Sequence, residues 1–207
     1  MEKTGISKAT LGRLPLYLNY LSNLPQGRCE NISATAIAKD LGLGEVQVRK
    51  DLNSVSGAGR PKVGYAVKEL ISQLENCLGC NKLTSAVLVG AGKLGRALLE
   101  YDSFQQFGVK IVAGFDCNND PLFLGKSKTQ VLPMDNFGAF CENNDIKIGI
   151  ITVGTGSAQQ VCDLMVKSGI KAIWNFAPVR LNVPEDVLLK HENLALSLAF
   201  LNNRLTQ

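Results

Sequence analysis

The stretch "SAVLVGAGKLGRALLEY", residues 85–101, decides the fold of this 207-residue chain. Its apolar beginning predicts a buried strand, and the residues after the glycines predict a helix. Gly90, Gly92 and Gly95 have the GxGxxG spacing of a turn that lets the backbone approach a dinucleotide pyrophosphate at a helix N-terminus. The stretch therefore predicts a Rossmann-like unit that begins well inside the chain, after a separate N-terminal segment.

The sequence after this stretch alternates between strand-like and helix-like patterns. Strands are predicted at 85–90, 109–115, 147–153 and 171–176, and helices at about 93–104, 134–143 and 157–168. This order is typical of a parallel sheet covered by helices on both faces. We therefore expect an α/β fold with a Rossmann NAD(H)-binding domain over residues 81–192. The last segment, "NLALSLAFLNNRL", predicts an amphipathic helix with Leu194, Leu198 and Leu201 on one stripe. This stripe has no obvious place in the core, so residues 193–207 are expected to form a dimerisation helix.

Candidate nucleotide contacts follow the predicted strands at the edge where ligands bind in such sheets. Asp116 closes the second strand, where an acid binds ribose hydroxyls and repels a 2′-phosphate, so NAD(H) is favoured over NADP(H). The small residues of "TVGTG" (152–156) let a ring lie against the backbone, and "NFAPV" (175–179) brings an aromatic ring and an amide. The predicted cofactor-binding residues are Gly90, Ala91, Gly92, Lys93, Leu94, Gly95, Asp116, Val153, Gly154, Asn175, Phe176, Ala177 and Pro178.

These segments contain no obvious general acid or base. The chain has one histidine, His191, and its polar surroundings "LKHENL" indicate a surface position. Because a carbonyl-reducing enzyme needs a proton donor, the pattern favours a protein that binds the cofactor without turning it over. Glycine turns of this kind also occur in coenzyme A and S-adenosylmethionine sites, which leaves another adenine-containing ligand as an alternative.

The N-terminal third predicts a helix-turn-helix. An apolar stripe over residues 9–24 predicts a first helix, which buries Leu14, Leu18 and Leu21 with Leu11 and Tyr17 beside them. "ISATAIAKDLGLG" predicts a second helix that begins after Ser33 and stops at Gly42, and "EVQVRKDLNSV" predicts a third helix after a short turn. The segment 66–81 predicts a linking helix that ends at Gly79.

The third helix carries polar side chains opposite its apolar face, and these are the types that contact phosphates and base edges. The next stretch, "SGAGRPKVGY", predicts a wing of two short strands around a basic tip. Residues 1–75 contain ten Lys and Arg against seven Asp and Glu, which weakly favours a polyanion partner. The alternative is ordinary helix packing with solvated charges. The predicted DNA-binding residues, within a domain over residues 1–80, are Gln47, Arg49, Lys50, Asn53, Arg60 and Lys62.

Composition indicates a compact protein with a core, since 45% of the residues are hydrophobic and 19% are charged. No apolar run is long enough to cross a bilayer and the N-terminus lacks a secretory signal, so we expect a cytoplasmic protein without a membrane partner. Six cysteines are scattered along the chain, including the pair in "CLGC" (77–80). Free thiols are expected in a reducing compartment, a thiol switch or a zinc site at this pair being the alternatives.

The chain resembles the Rex family of redox-sensing transcriptional repressors over nearly its whole length. The matching stretches are "ATLGRLPLYLNYL", "VQVRKDL", "VGAGKLGRALLEY", "FD" at 115–116, "AQQV" at 158–161 and "NFAPVRLNVPE" at 175–185. The resemblance implies a homodimer with an N-terminal winged helix, a Rossmann core and a C-terminal helix swapped onto the partner subunit. It also implies binding to palindromic operators, which are released when NADH replaces NAD⁺.

The resemblance implies further roles for single residues. Arg49 and Lys50 would contact DNA, and Arg13 and Tyr101 would belong to a polar cluster that couples the nicotinamide state to the winged helix. The third predicted switch residue is Asn193, which stands at the start of the last helix where the family usually has an acid. A proline that is usual before the second ligand-edge helix is Gly154 here. After "RKDL", the family's Tyr-Phe-Gly is replaced by Ser-Val-Ser.

The sequence thus predicts a transcriptional repressor, not an enzyme, that senses the NADH/NAD⁺ ratio. One alternative is an NAD-dependent oxidoreductase with an unrelated N-terminal cap, which would turn the cofactor over and show no salt-sensitive DNA binding. Another is a transcription factor that senses a different adenine-containing ligand, such as coenzyme A.

Overall fold

The computed structural model describes residues 6–25, 30–118, 120 and 128–205. The chain divides into two compact units. The first comprises Met1–Lys82 with Gln106–Gly108, and the second comprises Leu83–Gln105 with Val109–Gln207. The last helix, which the sequence predicts as a dimerisation segment, is grouped with the second unit.

The first unit is a small helical domain with one two-stranded sheet. Its elements are α1 (Lys8–Ser22), β1 (Asn31–Ile32), α2 (Ala34–Leu41), α3 (Glu45–Ser56), β2 (Tyr65–Ala66) and α4 (Val67–Leu78), with β1 and β2 antiparallel. Ser33 caps α2 by accepting a hydrogen bond from the Ala36 N–H at 3.1 Å. Gly42 ends α2 in the left-handed conformation, with φ of +64°. The short turn that follows confirms the predicted helix-turn-helix.

The core of this unit comes from one face of each helix. Leu14, Tyr17, Ile37, Leu52 and Leu70 are all 1% exposed or less. Tyr17, predicted beside the leucine stripe of α1, is buried with these leucines, whereas Leu11 remains 36% exposed.

The wing differs from the sequence prediction of two short strands. Within the described residues the hairpin has a single antiparallel bridge, between Arg60 and Gly64. It is closed by hydrogen bonds from Arg60 N to Gly64 O at 2.8 Å and from Gly64 N to Arg60 O at 2.9 Å. Gly64 has φ of +89°, and a Cβ there would lie 2.7 Å from the Ile32 carbonyl carbon. The strand that follows, β2, pairs with β1 and does not extend the hairpin.

A buried carboxylate links α1 to α3. Asp51 on α3 is 4% exposed. Its Oδ1 accepts hydrogen bonds from Thr10 Oγ1 and Arg13 Nη2, both at 2.9 Å, and its Oδ2 accepts from Arg13 Nε at 2.7 Å and Tyr17 Oη at 2.8 Å. The donors recur every three or four residues on α1 and so share one helix face. We call Thr10, Arg13, Tyr17 and Asp51 the Asp51 cluster.

The cluster changes the acidity of its members. Burial alone would raise the pKa of Asp51, but hydrogen bonds from Arg13, Tyr17 and Thr10 outweigh it and hold the pKa below its ordinary value of 3.8. Burial, followed by the bond to Asp51, raises the pKa of Tyr17 to about 12. A carboxylate whose pKa is lower in the folded chain stabilises it near neutral pH. That contribution is lost as the pH falls from about 4 through the folded-state pKa.

The second unit has an α/β order of elements. These are β3 (Thr84–Val89), α5 (Lys93–Leu99), a 3₁₀ helix (Asp102–Phe107, whose last two residues group with the first unit), β4 (Val109–Asp116), β5 (Val131–Pro133), a 3₁₀ turn (Met134–Asn136), α6 (Phe137–Asn143), β6 (Ile148–Ile151), α7 (Thr155–Lys167), β7 (Ala172–Asn175), β8 (Leu188–His191) and α8 (Leu194–Leu205). The described strands form a six-stranded sheet in the order β5-β4-β3-β6-β7-β8, and every pair is parallel.

Two strands and one helix end differ from the sequence prediction. The strands β5 and β8 were missed because β5 has three residues and β8, with the sequence "LLKH", has no alternation of apolar and polar residues. The helix predicted over 93–104 ends at Leu99, after which the chain continues as the 3₁₀ helix. Phe115 and Phe137 pack on one face of the sheet, with ring centroids 5.0 Å apart, and Leu88 and Ile150 are buried on the other.

The described helices are short. The longest, α1, has 15 residues, whereas a helix needs about 20 apolar residues to cross a bilayer. Throughout the described ranges, no helix combines the necessary length with the necessary apolar character.

We predict that Asp51→Asn lowers the free energy of unfolding by about 1.5–3 kcal/mol at pH 7, because the hydrogen bonds that the buried carboxylate accepts from α1 lose their charge assistance. The difference from the unmodified chain should shrink as the pH falls below about 4, because Asp51 then takes up a proton in the unfolded chain while the folded chain still disfavours that proton. Chemical denaturation at pH 7 and pH 3 measures both effects. Asp40→Asn is the control, since Asp40 is exposed and accepts a hydroxyl bond from Tyr20 at 2.5 Å. An Asp51→Asn effect of equal size at both pH values would contradict this account.

Candidate functional site

The glycine loop between β3 and α5 has three positions with different physical requirements. Gly90 has φ of +102°, and a Cβ there would lie 2.8 Å from the Thr152 carbonyl carbon. Gly92 caps α5 and has no heavy atom within 4 Å of its Cβ position, so a ligand can approach its backbone. At Gly95 a Cβ would collide with the Gly90 carbonyl oxygen, so only glycine lets the helix pack this closely against the strand.

The other predicted residues of this loop differ in their exposure to solvent. Ala91 is fully buried, whereas Lys93 and Leu94 are exposed at the start of α5. The N–H groups of this first turn have no partners within the helix, and the helix dipole favours a negative charge there. The arrangement therefore suits a phosphate.

Asp116 ends β4 and faces the glycine loop. Its Oδ2 accepts a hydrogen bond from the Ala91 N–H at 2.7 Å, and its Oδ1 accepts one from the Asn118 N–H at 2.9 Å. These two bonds orient the carboxylate. They also leave it acceptor sites, because an ionised carboxylate has about four. The carboxylate can thus still accept hydrogen bonds from a ribose, as the sequence predicts.

The end of β6 supplies the opposite wall. The Thr152 hydroxyl donates to the Gly90 carbonyl oxygen at 2.7 Å and lies 3.1 Å from that of Val89, so this side chain fixes the glycine loop. Thr152 was not among the predicted contacts. Gly154 is the N-cap of α7 and, like Gly92, has open space at its Cβ position. A second helix N-terminus therefore opens at the same edge of the sheet.

These segments enclose a pocket of about 380 Å³. We call it the nucleotide pocket. It brings together residues that are far apart in sequence, among them Gly90, Gly92, Asp116, Val153, Gly154 and Ser157. Met134 and Val161 add apolar surface to its lining.

Asn175 is a predicted cofactor-binding residue whose side chain bonds within the fold. We expected its amide to face the ligand, but the residue is fully buried and its side chain is used within the fold. Nδ2 lies 3.0 Å from the carbonyl oxygens of both Ala177 and Val179 and 3.1 Å from His191 Nδ1, and Oδ1 accepts from the Ala177 N–H at 2.9 Å. Asn175 therefore shapes the loop after β7, and its contact with a cofactor stays a prediction.

That loop borders a separate, shallower recess of about 260 Å³. Ala177, Pro178, His191 and Asn193 line it, whereas Phe176 packs against Trp174 with ring centroids 4.4 Å apart. His191 is exposed, as its sequence surroundings indicated, although one ring nitrogen contacts Asn175.

Each of the three predicted switch residues contacts a neighbour within its own unit. Arg13 is bound to Asp51 within the first unit. In the second unit, Tyr101 is 55% exposed and meets Phe104 edge-on, with centroids 5.0 Å apart. Asn193 caps α8, where its Oδ1 accepts from the N–H groups of Ala195 and Leu196 at 3.1 and 3.2 Å. The coupling of these residues to a nicotinamide stays a prediction.

The first unit presents a basic groove of about 360 Å³ between α3, the start of α2 and the wing. Arg49, Arg60 and Lys62 line it, and Lys50 is exposed on α3. Arg49 pairs with Glu45 one turn earlier, an exposed pair worth about 0.3–0.5 kcal/mol. Such a weak pair leaves the guanidinium available to a phosphate or a guanine.

Two of the predicted DNA contacts are engaged inside the unit. The Asn53 amide lies 2.9 Å from the Tyr65 hydroxyl oxygen, which connects α3 to β2. The Gln47 amide lies 2.9 Å from Arg13 Nε, so it adjoins the Asp51 cluster. Both residues remain exposed, but their amides would have to leave these partners to reach a base.

The described cysteines are free thiols. Cys77 and Cys80 are half-buried, and burial raises the pKa of both thiols, which disfavours the reactive thiolate. Cys29 lies outside the described residues. No group of three or more His, Cys, Asp or Glu side chains within those residues is arranged to hold a metal ion.

Two family models match the chain. One, described as a putative DNA-binding protein N-terminus, covers residues 5–53, and one described as a CoA binding domain covers residues 81–179. Among curated proteins, the redox-sensing transcriptional repressor Rex of Clostridium acetobutylicum is 38% identical over 97% of this chain and 94% of its own length. The Rex protein of Clostridium kluyveri is also 38% identical, over 97% of this chain and 96% of its own length.

Solved structures agree with these relatives. The crystal structure of RSP in complex with β-NAD⁺ and operator DNA has a TM-score of 0.88 at 38% identity, and the match covers 98% of this chain and 94% of that chain. The complex of RSP with β-NADH has a TM-score of 0.86 at 37% identity, with coverage of 98% and 95%. A further structure is described as RSP, a Rex-family repressor. With this degree of identity over nearly its full length, the chain belongs to the Rex family of redox-sensing transcriptional repressors.

Proposed function

We propose that this chain is a cytoplasmic transcriptional repressor that binds a palindromic operator as a homodimer and releases it when NADH binds. One observation carries the proposal. A single chain joins a winged-helix unit with exposed cations to a Rossmann-like unit with an open glycine loop. A solved structure similar to both units together contains NAD⁺ and operator DNA.

The winged-helix unit reads DNA through α3 and the wing. Arg49 and Lys50 lie on the exposed side of α3, where their donors suit phosphate oxygens and the guanine edge in a major groove. Arg60 and Lys62 on the wing add cations for the flanking backbone. Contacts of this kind make binding salt-dependent.

The dinucleotide acts as a signal and not as a substrate. Among the described residues that line the nucleotide pocket, only Asp116 and Cys117 have side chains of the acid–base type. Both stand at the end of β4, which the acid motif assigns to the ribose, whereas the nicotinamide is expected near Phe176 after β7. Carbonyl reduction needs a proton donor at the reacting end of the cofactor. The Rex relatives are named as repressors, which also argues against the oxidoreductase alternative.

Coenzyme A is the other ligand to consider, because the CoA binding domain model matches residues 81–179. The two ligands differ at the adenosine ribose, where coenzyme A carries a 3′-phosphate and NAD(H) has free hydroxyls. A carboxylate at Asp116 accepts hydroxyl hydrogen bonds and repels a phosphate. This charge favours NAD(H), and competition between coenzyme A and NADH distinguishes the two ligands.

In a homodimer, the redox state of the nicotinamide can change operator affinity through the packing of the two subunits. Oxidised nicotinamide is flat and cationic, and the reduced ring is puckered and neutral. We expect the ring near Gly154, Phe176 and the last helix of the partner subunit, so that its state biases how two subunits pack. That packing sets the separation of the two recognition helices, which must match about one DNA turn or a multiple of it. A coupling of about 1–3 kcal/mol would change operator affinity roughly 5- to 150-fold.

The experiment that tests the function is fluorescence anisotropy of a labelled operator titrated with the protein. NADH should weaken operator binding roughly 5- to 150-fold, and NAD⁺ should leave it nearly unchanged. A scrambled duplex of equal length is the control. Equal operator affinity in the presence of NADH and NAD⁺ would contradict redox sensing.

The C-terminal helix should hold the dimer together. In the single chain α8 exposes a stripe of leucines, at 61%, 68% and 57% for Leu194, Leu198 and Leu201. Removing residues 193–207 deletes this apolar surface and should yield monomers or aggregates in analytical ultracentrifugation. A truncated chain that remains a well-behaved dimer would show that another surface forms the interface.

Nucleotide choice should depend on Asp116. Asp116→Asn removes the charge that repels a 2′-phosphate, so the preference for NADH over NADPH should narrow about tenfold, equivalent to about 1.4 kcal/mol. Titration of each nucleotide by its fluorescence measures the ratio. The control is Asp145→Asn, an exposed site before β6 whose φ of +46° asparagine tolerates. Equal affinity of the unmodified chain for NADH and NADPH would refute the role of Asp116.

A further inference from the structure

We propose that Asp51 is a positioning residue for operator recognition, which holds α3 at one rotation against α1 so that Arg49 and Lys50 face the DNA. The inference rests on the proposed function, because it concerns how the operator is read. It gives Arg13 a second role, as a partner of the recognition helix in addition to the switch role implied by the family resemblance.

Helix geometry ties the direction of Asp51 to that of the DNA-facing side chains. Successive residues of an α-helix are about 100° apart around its axis, so Arg49 points about 160° away from Asp51 and Lys50 about 100° away. With Asp51 buried against α1, Arg49 must project outward. The two residues are 4% and 56% exposed at their side chains, as this geometry requires.

The contacts of Asp51 are directional. Its carboxylate accepts four hydrogen bonds of 2.7 to 2.9 Å from three side chains on α1. Arg13 binds side-on, with Nε and Nη2 on different oxygens. A rotation of α3 about its axis by about 100°, the angle between successive residues, would break all four of these bonds at once. The apolar neighbours on the same helix, Val48 and Leu52, are fully buried but pack without this directionality.

Stability alone does not account for the cluster. The ion pair contributes little beyond what well-packed apolar side chains of similar size would contribute, because the Asp51 charge leaves water almost completely and the Arg13 charge leaves it in part. The best-attested use of such buried polar groups is to select one arrangement among several. In the first unit, the arrangement that the Asp51 cluster selects is the orientation of α3.

The charge of Asp51 makes the inference testable by the sign of an effect. Asp51 is an anion on the helix that approaches DNA, so electrostatics alone predicts tighter DNA binding when the charge is removed. Positioning predicts the opposite for the operator, since a misaligned α3 loses its base contacts. Binding to unrelated DNA depends on phosphate contacts and should be retained.

The test compares an operator, selected from random duplexes by the unmodified full-length chain, with a scrambled duplex over a range of salt concentrations. Asp51→Asn should lower operator affinity by about tenfold or more, the scale of a lost base contact, while scrambled-duplex affinity and the salt slope stay unchanged or rise slightly. Asp40→Asn is the matched control, because it removes a charge from the same unit at an exposed site. Its ratio of operator to scrambled affinity should be unchanged.

A second variant guards against misfolding of the first. Tyr17→Phe removes one hydroxyl from the cluster and leaves the buried ring in place, so the affinity ratio should fall about threefold in a chain that remains folded by circular dichroism. The inference is overturned if both variants keep the ratio within twofold. It is also overturned if both lose the two duplexes equally with a smaller salt slope.

Failure of this inference can be told apart from failure of the proposed function. If the unmodified chain binds its operator with the same affinity with and without NADH, the redox-sensing function is refuted and the role of Asp51 stands. If the Asp51→Asn chain still prefers its operator and still responds to NADH, the role of Asp51 is refuted and the proposed function stands.

Discussion

The close packing of α5 against β3 is the constraint on which the nucleotide pocket depends. Because Gly95 lies against the Gly90 carbonyl oxygen, the helix begins directly at the carboxyl edge of the sheet. The Thr152 hydroxyl holds the same carbonyl from β6, and the Ala91 N–H orients Asp116. A side chain at either glycine would move the helix N-terminus, the acid and the neighbouring strand end together. The loop proposed for the phosphates and the acid proposed for the ribose therefore both depend on the absence of side chains at Gly90 and Gly95.

In the winged-helix unit, the hydrogen bonds of a buried carboxylate fix the helices. These helices are short and their apolar contacts tolerate small rotations, whereas the buried carboxylate of Asp51 does not. Thr10, Arg13 and Tyr17 each donate to it from one face of α1. The two units therefore use opposite means to fix a functional surface. In the Rossmann-like unit, glycines leave space for the proposed phosphate. In the winged-helix unit, the buried charge of Asp51 orients α3.

The sequence predicts best where local chemistry decides the structure. The glycine spacing, the acid after the second strand and the helix-turn-helix all follow from neighbouring residues, so they could be placed without coordinates. Asp51 could not, because its partners lie 34 to 41 residues away and its neighbours suggest a solvated charge. The internal hydrogen bonds of Asn175 could not be predicted for a related reason. An amide at a strand end resembles a ligand contact until the carbonyl groups that it binds are seen.

Coupling between the two units is the central claim, and thermodynamic linkage provides its most direct measurement. If NADH weakens operator binding by some factor, operator must weaken NADH binding by the same factor. Titrating the full-length chain with NADH, with and without saturating operator, measures this factor through nucleotide fluorescence. The account predicts a loss of NADH affinity of roughly 5- to 150-fold on operator, and no such loss with a scrambled duplex. Equal NADH affinity under all conditions would contradict it.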